Sequence, residues 1–166
     1  GGLYKECLIE HEGLFHCFYN AKDIQAMEQT GLATSPDLQT WTRHPGNPVL
    51  RTTPGAWDGR FRSDPYVVRH GGRWVMFHFG YDGSHAQEGI AFSDDLLHWE
   101  QHPEPILTVG PEGALDSKHA HKPAVIMRDG VLYHFYCACR PHWEGDPTDN
   151  SGEFRCITVA TSEPIE

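Results

Sequence analysis

The chain has 166 residues, of which 39% are hydrophobic and 11% aromatic, which is enough for one folded domain and too much for a disordered chain. Its 13 basic and 23 acidic residues give a net charge of −10, which argues against nucleic acid or an anionic membrane surface as a partner. No apolar stretch approaches the roughly 20 residues that a membrane span needs.

The five cysteines do not predict a disulfide framework or a metal site. Their number is odd and no CxxC pair occurs, so we expect reduced thiols packed within strands. Zinc binding by Cys137 and Cys139 is disfavoured, because one intervening residue is fewer than usual ligand pairs have.

The sequence repeats itself with a period of 58 residues. Residues 32–41 (LATSPDLQTW) return as 90–99 (IAFSDDLLHW), and each copy is followed by a proline-aliphatic tail. A second pattern, from Trp57-Asp58 through Asp64-Pro65, returns from Leu115-Asp116 through Lys122-Pro123. Two patterns that share one period make chance an unsatisfactory explanation.

In chain order, each repeat predicts four short antiparallel strands. The clearest copy has β-branched and aromatic residues at 67–68 and 73–79 around a Gly71-Gly72 turn, then strands at 88–93 and 98–100. No segment has a sustained helical period. Four strands per 58 residues predict an all-β propeller with blades at about 3–50, 57–107 and 115–162, a single domain over 1–166. A β-sandwich is the alternative.

This count gives about two and three-quarter four-stranded blades, and three blades cannot readily close a ring. We favour a piece of a longer protein that supplies the missing blades. The alternatives are self-association of two chains, or further sheet in segments predicted as loops.

The starts of the innermost strands share one face of a propeller, and we expect polar side chains there to meet a ligand. These starts contain Lys5 and Glu6, then Arg62 and Asp64, then His119 and Lys122. A long loop on the same face presents Trp143, an aromatic surface of the kind on which a sugar ring stacks.

The repeats resemble those of the five-bladed β-propeller glycosidases, glycoside hydrolase families 43, 32 and 117. The residues that carry the resemblance are Ala-x-Ser-x-Asp-Leu-x-x-Trp at 33–41 and 91–99, Asn47-Pro48-Val49-Leu50, Trp57-Asp58 and Arg62-Ser63-Asp64-Pro65. The resemblance implies cleavage of a glycosidic bond in an oligo- or polysaccharide by acid/base catalysis in the central cavity. A non-catalytic carbohydrate-binding propeller is the alternative function.

The resemblance also implies roles for particular residues. Asp64 matches the Asp of an Arg-Asp-Pro motif, although Ser63 is inserted. His121 stands where the proton donor is expected, as in family 117, and Glu6 is the carboxylate nearest to the position of the base. The predicted sugar contacts are Trp57, Asp58, Arg62, His119, Lys122 and Trp143.

His119 and His121 leave other interpretations open, namely metal ligation or binding of sugar hydroxyls. A turn-capping role is the alternative for Asp58. We expect no cofactor and assign no metal ligand, with a central divalent cation as the alternative. The expected partner is a carbohydrate.

Overall fold

The computed structural model describes residues 1–147 and 152–162, and in this part of the chain the secondary structure is entirely β. The first blade contains β1 (Gly2–His11), β2 (Leu14–Lys22), β3 (Glu28–Ser35) and β4 (Thr42–Arg43). The second contains β5 (Phe61–His70), β6 (Arg73–Tyr81), β7 (Ala86–Ser93) and β8 (Glu100–Gln101). The third contains β9 (His119–Arg128), β10 (Val131–Pro141) and β11 (Glu153–Thr161).

Within each blade the consecutive strands pair antiparallel. Successive blades meet where the third strand of one runs parallel to the first strand of the next, with Glu28 beside Phe61 and Ala86 beside His119. Two four-stranded units and a three-stranded unit confirm the predicted partial propeller. No helix in the described ranges is long and apolar enough to cross a membrane.

The repeated Ser-x-Asp sequence is a repeated turn. In the first blade the Asp37 carboxylate accepts from the backbone N–H groups of Gln39 and Thr40, at 2.8 and 2.7 Å. In the second blade Asp95 accepts from Leu97 and His98 in the same way, at 2.9 and 2.8 Å. Side-chain acceptors of this kind replace strand pairing at the end of a strand. The sequence repeat therefore records local turn chemistry.

Apolar side chains fill the spaces between the blades. Phe18, Leu32, Val67 and Met76 form the cluster between the first and second blades. Val75, Phe77 and Val125 lie between the second and third. Burial of these side chains holds the sheets face to face, because each removes roughly 1.5–3 kcal/mol worth of apolar surface from water.

Each innermost strand has an irregularity near its start. Lys5, Asp64 and Lys122 have φ angles of 52°, 53° and 65°, and the strand register shifts at each of them. Bulges of this type redirect a side chain away from the regular alternation of a strand. The structure thus places a charged residue at the equivalent bulge of all three blades.

Candidate functional site

Asp64 is the centre of a buried polar group between the first two blades. Its side chain is only 5% exposed. The Asn20 amide donates to Asp64 Oδ1 at 2.5 Å, and the Asp64 backbone N–H donates to Asn20 Oδ1 at 2.8 Å. Burial raises the pKa of Asp64, while the Asn20 hydrogen bond and the charges of Lys5 and Lys122 act in the opposite direction. Asp64 is therefore a carboxyl group whose proton affinity is set by its surroundings.

Glu28 brings a second carboxylate to the same amide. Asn20 Nδ2 lies 3.3 Å from Glu28 Oε1, the Tyr4 hydroxyl donates to Glu28, and Lys22 Nζ is 3.9 Å from Glu28 Oε2. The nearest oxygens of Asp64 and Glu28, at 2.5 and 3.3 Å from one nitrogen, are within about 6 Å of each other, a spacing at which two carboxylates can act on one glycosidic bond.

Sequence reasoning missed Asn20 and Glu28, which lie near the two ends of the connection from β2 to β3. A signal was present, because antiparallel pairing places the end of β2 and the start of β3 beside the start of β1. Polar residues there, within otherwise apolar strands, were available as candidates.

His121 and His119 lie together at the start of β9, with ring centroids 5.9 Å apart. His121 Nδ1 lies 3.0 Å from the Cys137 carbonyl and donates to it, and Phe79 packs against the ring. Burial, assisted by the charge of Lys122, lowers the pKa of His121 to about 4. His121 is therefore neutral at neutral pH and gains a proton only under acidic conditions.

His119, Cys139 and Glu153 are the described residues with ligand atoms close enough for a metal ion, all within 4.8 Å of one another. The carboxylate of this group is already engaged, since Lys118 and Arg155 both form ion pairs with Glu153. Burial alone would raise the pKa of Glu153, but the hydrogen bonds from Lys118 and Arg155 lower it to about 2. Two adjacent cations oppose a metal cation there, and His121 is not part of the group.

Trp57, Asp58 and Arg62, expected as sugar contacts, are held inside the protein. The Trp57 indole N–H donates to the Pro103 carbonyl at 2.9 Å, and its ring stacks on His78. Asp58 and Arg62 are 0% and 2% exposed and form an ion pair with each other. A buried pair of opposite charges is satisfied internally, so both residues hold the crossover between blades.

The other expected contacts are at or near the surface. Glu6 is exposed on β1, where it pairs in register with Tyr19, apart from the Asn20 hydrogen bonds. Lys122 is exposed at its bulge. Trp143 is 47% exposed and lines a cleft of about 650 Å³ together with Lys118 and His85.

Trp143 is positioned by an ion pair beneath it. The Arg140 guanidinium lies 3.5 Å from the centre of the Trp143 ring and binds Asp146 through two hydrogen bonds of 2.6 and 2.7 Å. Asp146 also accepts from the Trp143 backbone N–H at 2.7 Å. An indole face held in this way is available for stacking.

The bladed sheet and the paired carboxylates on one face define a β-propeller of the glycosidase class. Residues 8–115 match the model of the glycosyl hydrolases family 32 N-terminal domain. The chain belongs to this glycoside hydrolase family. No curated protein matches the chain.

Solved structures agree with this assignment. The structure of a complex of BT0996 with RGII has 33% identity and a TM-score of 0.76 over 98% of this chain and 46% of its own. A family 117 glycoside hydrolase, Zg3597 of Zobellia galactanivorans, has 15% identity and a TM-score of 0.74, over 96% and 51%. A Bombyx mori family 32 β-fructofuranosidase has 17% identity and a TM-score of 0.67, over 93% and 33%. The last two likenesses establish the fold, and the chain spans about half or less of the length of these structures.

Proposed function

We propose that this chain supplies the catalytic carboxylates of a glycosidase, arranged around Asp64. The single observation behind the proposal is that one buried amide, Asn20, hydrogen-bonds both Asp64 and Glu28. Two carboxylates with different surroundings on one face are what glycosidic cleavage needs, because one group must hold a proton while the other stays ionised.

In this proposal Asp64 faces the sugar and stabilises the positive charge that develops on its ring. Glu28, which accepts a hydrogen bond from Tyr4, takes the role of base that the sequence suggested for Glu6. His121 donates the proton to the leaving oxygen. With its pKa at about 4, the protonated fraction of His121 is appreciable only in acid, so this assignment requires activity that increases below neutral pH.

The carbohydrate itself would be held by side chains around this centre. Trp143 offers a stacking face, and His119 and Lys122 offer donors to sugar hydroxyls. Trp57, Asp58 and Arg62 support the blades beneath and do not enter the proposed contact surface. The proposed organisation of the domain is one propeller over residues 1–166, with blades at about 3–50, 57–107 and 115–162.

One observation favours a second function, a carbohydrate-binding propeller without catalysis. At the first bulge, where the resemblance implies an acidic residue, the chain has Lys5. Without a carboxylate at that position, sugar binding would persist while cleavage depends on Glu28 alone.

The test is Asp64→Asn, assayed with a panel of aryl glycosides and oligosaccharides. The matched control is Asp94→Asn, which changes an exposed carboxylate paired with Arg73 on an outer surface. We expect turnover to fall by about 10²–10⁴-fold in the first variant and to be unchanged in the second. Full turnover by Asp64→Asn would overturn the proposal. Saturable sugar binding by the unmodified protein without turnover on any substrate would establish the binding function instead.

A further inference from the structure

All four lysines of the chain lie at the same edge of the sheets as Asp64. Lys5 and Lys122 are at the bulges of β1 and β9, Lys22 ends β2, and Lys118 directly precedes β9. The chain as a whole has a net charge of −10. A concentration of flexible cations at one edge of an acidic protein therefore marks a surface with a particular electrostatic character.

Two of these lysines have partners within the protein and two do not. Lys22 lies 3.9 Å from Glu28, and Lys118 forms an ion pair with Glu153. Lys5 and Lys122 are exposed, and no carboxylate of the described residues lies within the 4.0 Å of an ion pair from either. The two ammonium groups without partners are thus the ones on the innermost strands, next to the axis.

The backbone at both lysines is unfavourable for this residue type. A positive φ is accepted readily by glycine and tolerated by asparagine or aspartate, whereas lysine has no local hydrogen bond to offset its cost. Lys5 and Lys122 nevertheless have φ angles of 52° and 65°, at the bulges equivalent to that of Asp64. A costly conformation that recurs at a functional edge indicates that the direction of the side chain matters.

We propose that the sugar recognised beside Asp64 is anionic, carrying a carboxylate or a sulfate ester that Lys5 and Lys122 contact. This inference rests on the proposed function and names the substrate class of the same site. The two lysines lie on either side of Asp64 in blade order, so an anionic substituent is attracted by two ammonium groups while the ring faces the buried carboxyl group. Neutral sugars lack this attraction.

An alternative role for the lysines is to favour the ionised form of Asp64, since both charges lower its pKa. That role would change the reactivity of the site toward every sugar in the same proportion. A preference for anionic over neutral sugars is specific to direct contact, and it is the quantity to measure.

The experiment compares D-galacturonate, D-galactose 6-sulfate and D-galactose as ligands, by calorimetry or NMR titration at low and high salt. These probes differ only at the sixth carbon, so the two charged probes distinguish a carboxylate from a sulfate ester. We expect the purified protein to bind at least one charged sugar roughly tenfold more tightly than galactose, with the difference shrinking at high salt. Lys5→Gln and Lys122→Gln should each reduce the preference by roughly threefold to fivefold.

Arg128→Gln is the matched control, because Arg128 is an exposed cation at the opposite end of β9 from Lys122. It should leave the preference unchanged. Equal binding of charged and neutral sugars, or a preference that survives in both lysine variants, would overturn the inference while leaving the glycosidase proposal intact. Absence of binding to all three sugars, together with no turnover on the substrate panel, would overturn both.

Discussion

Replacing Asn20 with alanine tests whether the Asp64 carboxylate depends on this one amide. The variant removes a hydrogen bond of 2.5 Å to the Asp64 carboxylate and leaves the Asp64 backbone N–H, previously bonded at 2.8 Å, without its partner. A hydrogen bond to a charged group contributes about 1.5–3 kcal/mol, and a buried donor left unpaired costs about 1–3 kcal/mol. We expect the free energy of unfolding at pH 7 to fall by about 3 kcal/mol.

The loss should depend on pH, and the direction follows from the pKa of Asp64. The Asn20 hydrogen bond lowers that pKa in the folded protein, so removing it raises the pKa further. A raised folded-state pKa costs stability once the pH exceeds the unfolded-state value of about 3.9. At or below that pH Asp64 is protonated in both states, and the part of the loss that depends on its charge disappears. The destabilisation should therefore be larger at pH 7 than at pH 4.

Urea denaturation at the two pH values measures this difference. Thr30→Val is the control, because Thr30 is also fully buried and donates across the same pair of blades, to the Arg62 carbonyl at 3.1 Å. Its removal involves no ionisable partner and should cost about 1 kcal/mol at both pH values. If Asn20→Ala lost the same free energy at pH 4 and pH 7, as the control does, the inferred coupling between Asn20 and the Asp64 charge would be refuted.

Two further predictions concern other polar side chains. Glu88 is completely buried, neither carboxylate oxygen has a hydrogen-bond partner among the described residues, and burial raises its pKa well above the usual value. Wild-type stability should thus fall as pH rises above about 4.3, and Glu88→Gln, which cannot ionise, should be more stable by at least about 1 kcal/mol at pH 7 in urea denaturation; equal stabilities at pH 7 would contradict this. Asp146→Asn should weaken sugar binding by roughly threefold to tenfold in titration calorimetry, as Trp143→Ala does, because Asp146 fixes Arg140 beneath the indole; wild-type affinity in Asp146→Asn would show that the ion pair does not position the ring.

The fold was predictable from the sequence because its repeat is built from turns. The side chains of Ser35 and Asp37 bond to nearby backbone N–H groups, and Ser93 and Asp95 make equivalent bonds one repeat later. Such bonds depend on a few neighbouring residues, so the same letters give the same structure wherever they occur. The position of Asp64 followed from the same register.

The direction of several side chains was not predictable in this way. Arg62 and Asp64 are two residues apart on one strand, yet Arg62 turns inward to pair with Asp58 while Asp64 meets Asn20 of the preceding blade. The bulge at Asp64 breaks the alternation that a regular strand would impose. A polar residue near a predicted cavity is therefore as well explained by internal charge pairing as by ligand contact.

Departures from the repeat identify the candidate site better than its agreements do. The residues spaced by 58 positions toward the end of each second strand are Asn20, His78 and Tyr136, and the bulges hold Lys5, Asp64 and Lys122. Packing and turn formation require the same residue types in each blade, since each blade performs the same structural task. Where the blades share a backbone conformation but differ in charge and hydrogen-bonding capacity, a common structural task does not explain the choice of residue. An asymmetric ligand that contacts several blades at once does, because each blade then meets a different part of it.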